Sequence, residues 1–255
     1  MSDSARTPKN HDPTSTYVMT RLCVNINKIA TLRNSRGGDC PNVLEAAIRC
    51  QEFGAQGICV HPRPDERHIR KQDVLDIKPF ITTEYNLEGY PSEEFVELAL
   101  AVKPDQVTLC PDEPNQRTSD HGFDTVGRSS FLREVVGVLK FEGIRTSILV
   151  DPIPRMVEGA KEAGSDRVEL FTEQFARLFP KDPTLAVAPF KEAAIVGRGL
   201  GLAINAGHDL SLRNLKYFRQ NVPFLEEVSI GHALIADALY SGLKNTIAEY
   251  LACLR

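Results

Sequence analysis

Two segments in the C-terminal part of the chain each combine an apolar run with a Gly-His pair. They are Leu202-Ala203-Ile204-Asn205-Ala206-Gly207-His208 and Val228-Ser229-Ile230-Gly231-His232. Each run has the length of a β-strand and is followed by a helical pattern. A glycine at such a corner lets a ligand approach the backbone, and the N–H groups at the start of the following helix favour an anion. The two corners therefore predict phosphate binding at neighbouring strands.

Titratable residues at the ends of other apolar runs predict proton transfer. Glu88 ends a strand-like run, where desolvation would raise the pKa of its carboxyl group and suit it to general-base catalysis. His61 and His208 have ordinary pKa values near working pH, so each could donate and accept a proton. Structural alternatives are an arginine ion pair for Glu88 and hydrogen-bonded structural roles for the imidazoles. Glu169 could stabilise a cationic intermediate or form an ion pair with an Arg or Lys.

Several basic residues and one glycine are candidate anion ligands, because a guanidinium matches phosphate or carboxylate in a bidentate manner. For the arginines, surface salt bridges are the alternative. The His and Glu residues lack a compact metal-ligand spacing, and the six cysteines form no CxxC pair, so we expect free thiols, no metal and no cofactor. The candidate anion ligands are Arg36, Arg63, His68, Gly231 and His232.

Short β-branched runs alternate with longer amphipathic stretches, which is typical of parallel strands joined by helices. We expect glycine caps at Gly54, Gly143, Gly164 and Gly199, and a helix N-cap at Ser92. The predicted strands are Arg21–Ile26, Gly57–His61, Glu84–Glu88, Gln106–Cys110, Thr146–Val150, Arg167–Phe171, Leu202–Asn205 and Glu227–Ile230.

Eight such units in 255 residues, with phosphate corners at the last two strands, favour an α/β fold of the (β/α)₈ TIM-barrel type over a doubly wound open sheet. We expect a disordered tail over residues 1–20 and one barrel domain over residues 21–255. Two long loops, Asn27–Pro41 and Pro111–Gly127, are predicted either as lids or as tolerated insertions. The last helix is predicted to carry one apolar stripe of Ile235, Leu239, Leu243, Ile247 and Leu251.

The net charge of -4 and the absence of a basic run argue against nucleic acid as a partner. No apolar run approaches the ~20 residues that span a bilayer, and the polar N-terminal segment lacks the apolar core of a signal peptide. We therefore expect a cytoplasmic protein that does not bind membranes.

The motifs in which these residues occur resemble the pyridoxine 5'-phosphate synthase family of the deoxyxylulose-dependent vitamin B6 pathway. The resemblance covers nearly everything after the tail, in order. It rests on the segments Val24-Asn25-Ile26-Asn27-Lys28-Ile29-Ala30-Thr31-Leu32-Arg33-Asn34, Arg36-Gly37, Val60-His61-Pro62-Arg63, Asp65-Glu66-Arg67-His68-Ile69, Asn86-Leu87-Glu88, Asn205-Ala206-Gly207-His208-Asp209-Leu210 and Ile230-Gly231-His232-Ala233.

This resemblance implies a (β/α)₈ barrel that assembles as a homo-octamer. It implies condensation of 1-deoxy-D-xylulose 5-phosphate with 3-amino-2-oxopropyl phosphate to give pyridoxine 5'-phosphate, phosphate and water. By resemblance, His61 and Glu88 are acid/base residues, His208 is a proton donor and Glu169 is a transition-state stabiliser. The amino-ketone phosphate would contact Asn25, Arg36, Asp209, Gly231 and His232, and the deoxyxylulose phosphate would contact Asn27, Lys28, Arg63, His68 and Thr118.

Three departures from the family pattern are present. Asn27-Lys28 stands where Asp-His is more common, and Leu170-Phe171-Thr172-Glu173 follows Glu169 where His-Thr-Gly is expected. Asp209 stands where the family usually has glycine. Its backbone N–H could still donate to a phosphate, but its carboxylate should point away from it.

Two other functions are compatible with parts of this pattern. One is another phosphate-handling barrel enzyme, such as an isomerase or an aldolase. A covalent aldolase needs a desolvated lysine at a strand end, and Lys28 is the one candidate. The other is a non-catalytic phosphate-binding barrel, which the presence of Glu88, His61 and His208 disfavours.

Overall fold

The computed structural model describes residues 19–112, 116 and 118–255, which form a closed barrel of eight parallel strands. Each strand pairs with its neighbours in chain order, and β1 closes the barrel against β8. The strands are β1 (Arg21–Asn25), β2 (Gly57–Val60), β3 (Glu84–Gly89), β4 (Gln106–Leu109), β5 (Arg145–Val150), β6 (Arg167–Phe171), β7 (Ala203–Gly207) and β8 (Leu225–Ile230). The helices are α1 (Asn27–Asn34), α2 (Val43–Glu52), α3 (Lys71–Ile77), α4 (Glu93–Val102), α5 (Ser129–Phe141), α6 (Pro154–Glu162), α7 (Glu173–Leu178), α8 (Pro183–Gly199), α9 (Leu215–Asn221), α10 (His232–Ser241) and α11 (Leu243–Cys253).

The apolar residues of the strands face the surrounding helices and form the main core. Period-2 alternation places β-branched and leucine side chains, such as Val24, Val107 and Ile148, on one face of each strand. Between the barrel and the helices lies a cluster of three buried rings, Phe175, Phe190 and Phe218, whose centroids are 4.9–5.9 Å apart. The predicted TIM barrel is confirmed.

The opposite face of the strands is largely polar. Thr108 donates to Asn86 (Oγ1 to Oδ1, 3.0 Å), and both side chains are fully buried. At the amino-terminal end of the barrel, Glu84 forms ion pairs with Arg21 (2.7 Å) and Arg145 (2.6 Å). Arg21 also pairs with Glu227 (2.8 Å). Hydrogen bonds and ion pairs therefore stabilise the barrel interior, where many TIM barrels use branched apolar side chains.

Two predictions about the chain after β1 and at its C-terminal end are wrong. Residues Asn27–Asn34, predicted as part of a loop, form α1, because the Asn25 side chain accepts the Asn27 N–H (3.0 Å) and the buried face of the helix packs on the barrel. The predicted last helix is divided at Gly242 (φ 76°) into α10 and α11. One apolar stripe does not continue through this break, and Leu239 is 69% exposed.

The predicted caps are confirmed with one exception. Ser92 accepts the Phe95 N–H (3.3 Å) and caps α4. Gly54, Gly143 and Gly164 have positive φ after their helices, but Gly199 lies inside α8 and the positive φ falls at Gly201. The strand bounds differ from the predicted ones by at most two residues at either end. Residues 1–18 of the predicted tail lie outside the described residues, so the domain boundary stays a prediction.

The phenylalanine cluster provides a test of the packing outside the barrel. Phe175→Ala should lower the free energy of unfolding by about 3–5 kcal/mol, because it removes a fully buried ring that contacts two others. Urea denaturation measures this change. Phe141→Ala is the matched control, since Phe141 is 88% exposed and should shift stability by less than about 0.5 kcal/mol. Equal effects of the two substitutions would contradict the packing described.

Candidate active site

A cavity of about 800 Å³ opens at the carboxyl ends of the strands, where TIM-barrel enzymes carry their active sites. It collects every site residue predicted from the sequence except Arg36, which lies exposed in the segment after α1. The predicted role of Arg36 therefore stays a prediction without support from this cavity. The predicted residues that line the cavity are Asn25, Asn27, Lys28, His61, Arg63, His68, Glu88, Thr118, Glu169, His208, Asp209, Gly231 and His232.

Glu88, at the end of β3, is hydrogen bonded by uncharged groups. Asn25 donates to Oε2 (3.2 Å), Ser229 donates to Oε1 (3.3 Å), and the Cys59 thiol also bonds the carboxyl group. Burial raises the pKa of Glu88, although the Cys59 bond and the nearby His208 act in the opposite direction. The predicted direction of the shift is confirmed, and among the residues that the structure describes no arginine forms an ion pair with Glu88. A buried carboxylate with a raised pKa is suited to accept a proton near neutral pH.

Glu169, in β6, lies deeper in the barrel and has no cationic partner within the described chain. Its Oε2 atom is buried and, as far as the described residues extend, lacks a hydrogen-bond partner. Burial raises the pKa of Glu169 well above its ordinary value, and the charges of Glu88 and Glu227 add to that effect. The shift favours the neutral form of Glu169, and no ion pair with an Arg or Lys is present among the described residues, which weakens the predicted interaction with a cation.

The two candidate proton-transfer histidines differ in charge state. Burial lowers the pKa of His61 well below its ordinary value, and Arg63, His68 and His208 lower it further. Burial also opposes charge on His208, but the hydrogen bond from Nδ1 to Asp209 (2.8 Å) outweighs it and raises the pKa of that imidazole. The ordinary pKa of both imidazoles lies near working pH, and the environment of His61 moves its pKa away from that range. His61 is a neutral imidazole, whereas His208 tends toward the cation.

Basic groups cover one side of the cavity. The Arg63 guanidinium is buried against Asp112 and also donates to the backbone oxygen of Gln116 (2.9 Å). Because this ion pair is buried, the alternative of a surface salt bridge is wrong for Arg63. The Nδ1 atom of His68 accepts the Ile69 N–H (2.9 Å), so the proton of the neutral ring is on Nε2. Lys28, in the first turn of α1, adds a positive charge beside His68.

The second Gly-His corner places the start of α10 at the cavity wall. Gly231, His232 and Ala233 line the cavity, and the first N–H groups of a helix have no intrahelical acceptor. Gly207 and Gly231 are also required because neighbouring protein groups leave no room for a side chain at either position. A Cβ at Gly231 would lie 3.1 Å from Asn25, and one at Gly207 would lie 2.5 Å from the Ser229 oxygen and 2.7 Å from Glu169. They bring protein groups together as well as leaving room for a ligand.

Several residues that contact the site were not predicted from the sequence. Ser229 and Cys59 bond Glu88, and strand alternation could have found Ser229, two residues before Gly231. Phe171 packs against the His208 ring, with centroids 5.3 Å apart. The Thr172 hydroxyl donates to the Gly207 oxygen and accepts the Asp209 N–H (3.1 Å). These last contacts join residues on different strands, and no local sequence signal indicates them.

Across residues 19–112, 116 and 118–255, no group of three or more His, Cys, Asp or Glu side chains is arranged to hold a metal ion. Within the same ranges, every helix is too short or too polar to cross a bilayer.

The fold and this cavity define an enzyme of the TIM-barrel class, with acid–base groups and anion-binding groups at the carboxyl end of the barrel. The family described as "Pyridoxal phosphate biosynthesis protein PdxJ" matches residues 22–255. The chain belongs to this family, as the resemblance predicted.

Curated relatives agree with the family match over nearly the full chain. The protein named pyridoxine 5'-phosphate synthase from Bacteroides thetaiotaomicron is 61% identical over 93% of this chain and 100% of its own length. The proteins of the same name from Christiangramia forsetii and Flavobacterium johnsoniae are 60% and 55% identical, with the same coverage. The chain is therefore an enzyme of vitamin B6 biosynthesis.

More distant solved structures share the fold alone. A 3-keto-L-gulonate-6-phosphate decarboxylase from Vibrio cholerae superposes with a TM-score of 0.63 at 9% identity, covering 93% of this chain and 98% of the other. A thiamine phosphate pyrophosphorylase from Pyrococcus furiosus gives 0.60 at 12% identity, covering 92% and 95%.

The His68 environment predicts a pH dependence of stability. Burial, followed by the charges of Lys28, Arg63 and Arg67, lowers the pKa of His68 from 6.5 to about 4. Between these values the unfolded chain binds more protons, so stability should fall as the pH falls from 6.5 to 4, by about 3 kcal/mol from this residue.

Urea denaturation of the protein and of His68→Gln at several pH values tests this effect. Glutamine keeps an acceptor for the Ile69 N–H but does not titrate, so the variant should lose less stability on acidification. Above pH 7.5 the imidazole is neutral in both states, and the difference between the proteins should be constant there. Parallel stability curves down to pH 4 would contradict the His68 pKa.

Proposed function

We propose that this enzyme condenses 1-deoxy-D-xylulose 5-phosphate with 3-amino-2-oxopropyl phosphate to form pyridoxine 5'-phosphate, phosphate and water. The observation that carries the proposal is the convergence of Glu88, His61 and His208 with anion-binding groups in one cavity. Its volume of about 800 Å³ is within the range of ligand pockets, about 300–1,000 Å³. The relatives' names support the same product.

The carboxyl groups of Glu88 and Glu169 suit different tasks. Both are buried, but Glu88 has three hydrogen-bond donors while Glu169 is strongly shifted toward its neutral form. Two such groups separate into a base and an acid, because only one of them ionises readily. We assign to Glu88 the removal of a carbon-bound proton. Glu169 then acts as a neutral acid that donates a hydrogen bond to negative charge developing on the substrate.

The histidines serve the substrate oxygens. The hydrogen bond to Asp209 raises the pKa of His208 and so favours its protonated form, which can donate a proton to an oxygen that leaves as water. His61 is neutral and can accept a proton from a hydroxyl group on the opposite side of the cavity. Schiff-base formation, loss of water and ring closure each require a proton transfer, so several titratable groups are needed.

Two phosphate positions follow from the charge distribution. The start of α10, with Gly231 and His232, favours the phosphate of the amino ketone, and Asn25 lies beside it. Lys28, His68 and Arg63 on the other side favour the phosphate of the deoxyxylulose, with Asn27 and Thr118 also lining that part of the cavity.

A covalent aldolase is a weaker alternative, because none of the eight strands carries a lysine. Mixing the protein with both substrates and following pyridoxine 5'-phosphate fluorescence tests the proposal. Binding of both substrates without product would instead support a phosphate-binding barrel without this activity.

We also propose that the enzyme acts in the cytoplasm as a homo-octamer, in accordance with the resemblance. Analytical ultracentrifugation measures the assembly directly. A monomer or dimer at micromolar concentration would contradict the octamer.

Substitution of the proposed base separates catalysis from binding. Glu88→Gln should lower kcat by about 10²–10⁴-fold, because the amide cannot accept the proton, while substrate binding is retained. Glu97→Gln is the matched control, since Glu97 is exposed on α4 outside the cavity. Wild-type kcat in Glu88→Gln would remove Glu88 from this role.

The opposite roles of Glu88 and His208 predict a bell-shaped pH profile for kcat/KM. Activity should fall on the acid side as Glu88 is protonated, at a pH above the ordinary glutamate value of 4.5, because its pKa is raised. Activity should fall on the alkaline side as His208 loses its proton, at a pH above 6.5. Steady-state rates across pH 4–10 check both limbs, and an acid limb at or below 4.5 would contradict the Glu88 assignment.

A further inference from the structure

The side chains of His208 and Asp209 form a pair at the end of β7. The Nδ1 atom of His208 lies 2.8 Å from Oδ2 of Asp209, and each side chain is 32% exposed. The other ring nitrogen, Nε2, lies 3.2 Å from the hydroxyl of Thr118, which lines the cavity. One nitrogen of the ring therefore faces a carboxylate and the other faces the space where substrate would bind.

The backbone of Asp209 is already hydrogen bonded within the protein. Its N–H donates to the hydroxyl of Thr172 (3.1 Å), and Thr172 in turn donates to the Gly207 oxygen. The Asp209 oxygen accepts from the Asn214 side chain (3.4 Å). The N–H expected to bind the amino-ketone phosphate is thus engaged, and the carboxylate would repel a phosphate. Direct binding is a poor explanation for an aspartate at this position.

The surroundings of His208 hold its ring in one orientation. His208 has a φ of 78°, a left-handed backbone conformation that non-glycine residues rarely adopt. The Phe171 ring packs against the imidazole at 5.3 Å between centroids. Thr172 bonds the Gly207 oxygen and the Asp209 N–H, on either side of His208 in the chain. Together these contacts hold the imidazole in place.

We propose that Asp209 is a positioning residue that acts through His208: its carboxylate accepts the Nδ1–H bond, aims Nε2 into the cavity, and keeps the imidazole protonated for transfer to a substrate oxygen. This inference rests on the proposed synthase function. It replaces the phosphate contact that the resemblance implied for Asp209.

In the proposed step, His208 gives up one proton and one water molecule leaves the substrate. The Nε2–H of cationic His208 passes to a substrate hydroxyl oxygen as the carbon–oxygen bond breaks, and water leaves. The electron pair of that bond leaves with the oxygen, while Glu88 takes a proton from the neighbouring carbon and the electron pair of that carbon–hydrogen bond forms the new double bond. His208 becomes neutral and keeps its Nδ1–H on Asp209, and a solvent proton restores the cation before the next turnover.

Among the described residues, the titratable groups near His208 come from the segments at the ends of β7, β3, β4 and β2. Burial disfavours its cation, while Asp209 beside it, Glu88 on β3 and Asp112 after β4 favour it and raise the pKa of His208. His61, after β2, is the nearby group of the same type and is neutral. Of these carboxylates, Asp209 is the one hydrogen bonded to the ring, through Nδ1, so its removal should have the largest effect.

Two substitutions separate charge from orientation. Asp209→Asn keeps an oxygen that can accept from Nδ1–H but removes the charge, whereas Asp209→Gly removes both. In the ligand-free protein, NMR of ¹⁵N-labelled imidazoles, with His208→Gln to assign the signal, follows the titration of His208. We expect His208 to titrate at a lower pH in both variants, and the alkaline limb of kcat/KM to move to lower pH with it.

The kinetic constants provide a second readout. Asp209→Gly should lower kcat by roughly tenfold or more, because general-acid catalysis contributes about 10²–10⁴-fold and is only partly lost. Asp209→Asn should lower it less, and KM for either substrate should change by less than about threefold. A raised KM for 3-amino-2-oxopropyl phosphate with an unmoved alkaline limb would overturn the proposal in favour of direct substrate contact.

The chain offers a matched control in a second pair of adjacent residues, Asp120 and His121, whose side chains are also in contact but more exposed. Asp120→Asn should leave the His208 titration unchanged, and Asp209→Asn should leave that of His121 unchanged. An unchanged His208 titration in Asp209→Asn overturns the proposal. The NMR result does not depend on turnover, so an inactive wild-type protein with a shifted His208 would reject the synthase function while retaining the Asp209–His208 interaction.

Discussion

The burial of Glu88 among uncharged hydrogen-bond donors is the constraint on which the site depends. Asn25, Ser229 and Cys59 can hold the carboxylate in place without the strong stabilisation that an arginine would provide. The group therefore keeps a raised pKa and remains able to exchange a proton. This arrangement needs β1, β2, β3 and β8 in one register, and the closed barrel supplies it.

Charge is distributed unevenly along the barrel axis. At the amino-terminal end, Arg21 and Arg145 neutralise Glu84. Glu227 lies above them, where burial and Glu84 raise its pKa to about 8 despite the pair with Arg21. Further up, Glu169 is shifted in the same direction by burial and by its carboxylate neighbours. Arginines thus stabilise the closed end, while the carboxyl groups nearer the cavity retain the proton affinities that acid–base chemistry requires.

Much of the fold and site is predictable from local pattern. Strand–helix alternation predicts the barrel, because parallel strands need helical crossovers, and the known geometry of such barrels brings the strand ends to one rim. Glu88 and His61 could be assigned to this rim because each ends a recognisable apolar run. The errors occur where local pattern is ambiguous. Asn27–Asn34 has basic residues and no strong helix signal, and the hydrogen bond from the Asn27 N–H to the Asn25 side chain depends on how β1 ends.

The sequence by itself determined the order of the elements, the chemical types at the strand ends and the family, since these depend on residue identity and spacing. The tertiary structure alone decided the pKa shifts and the partners: the pKa of His61 is lowered, that of Glu169 is raised, His208 is paired with Asp209, and Arg63 is held by Asp112. The physical reason is that a pKa depends on desolvation and on charges from strands far apart in the chain. These groups come close to one another, and are removed from water, only once the barrel has closed.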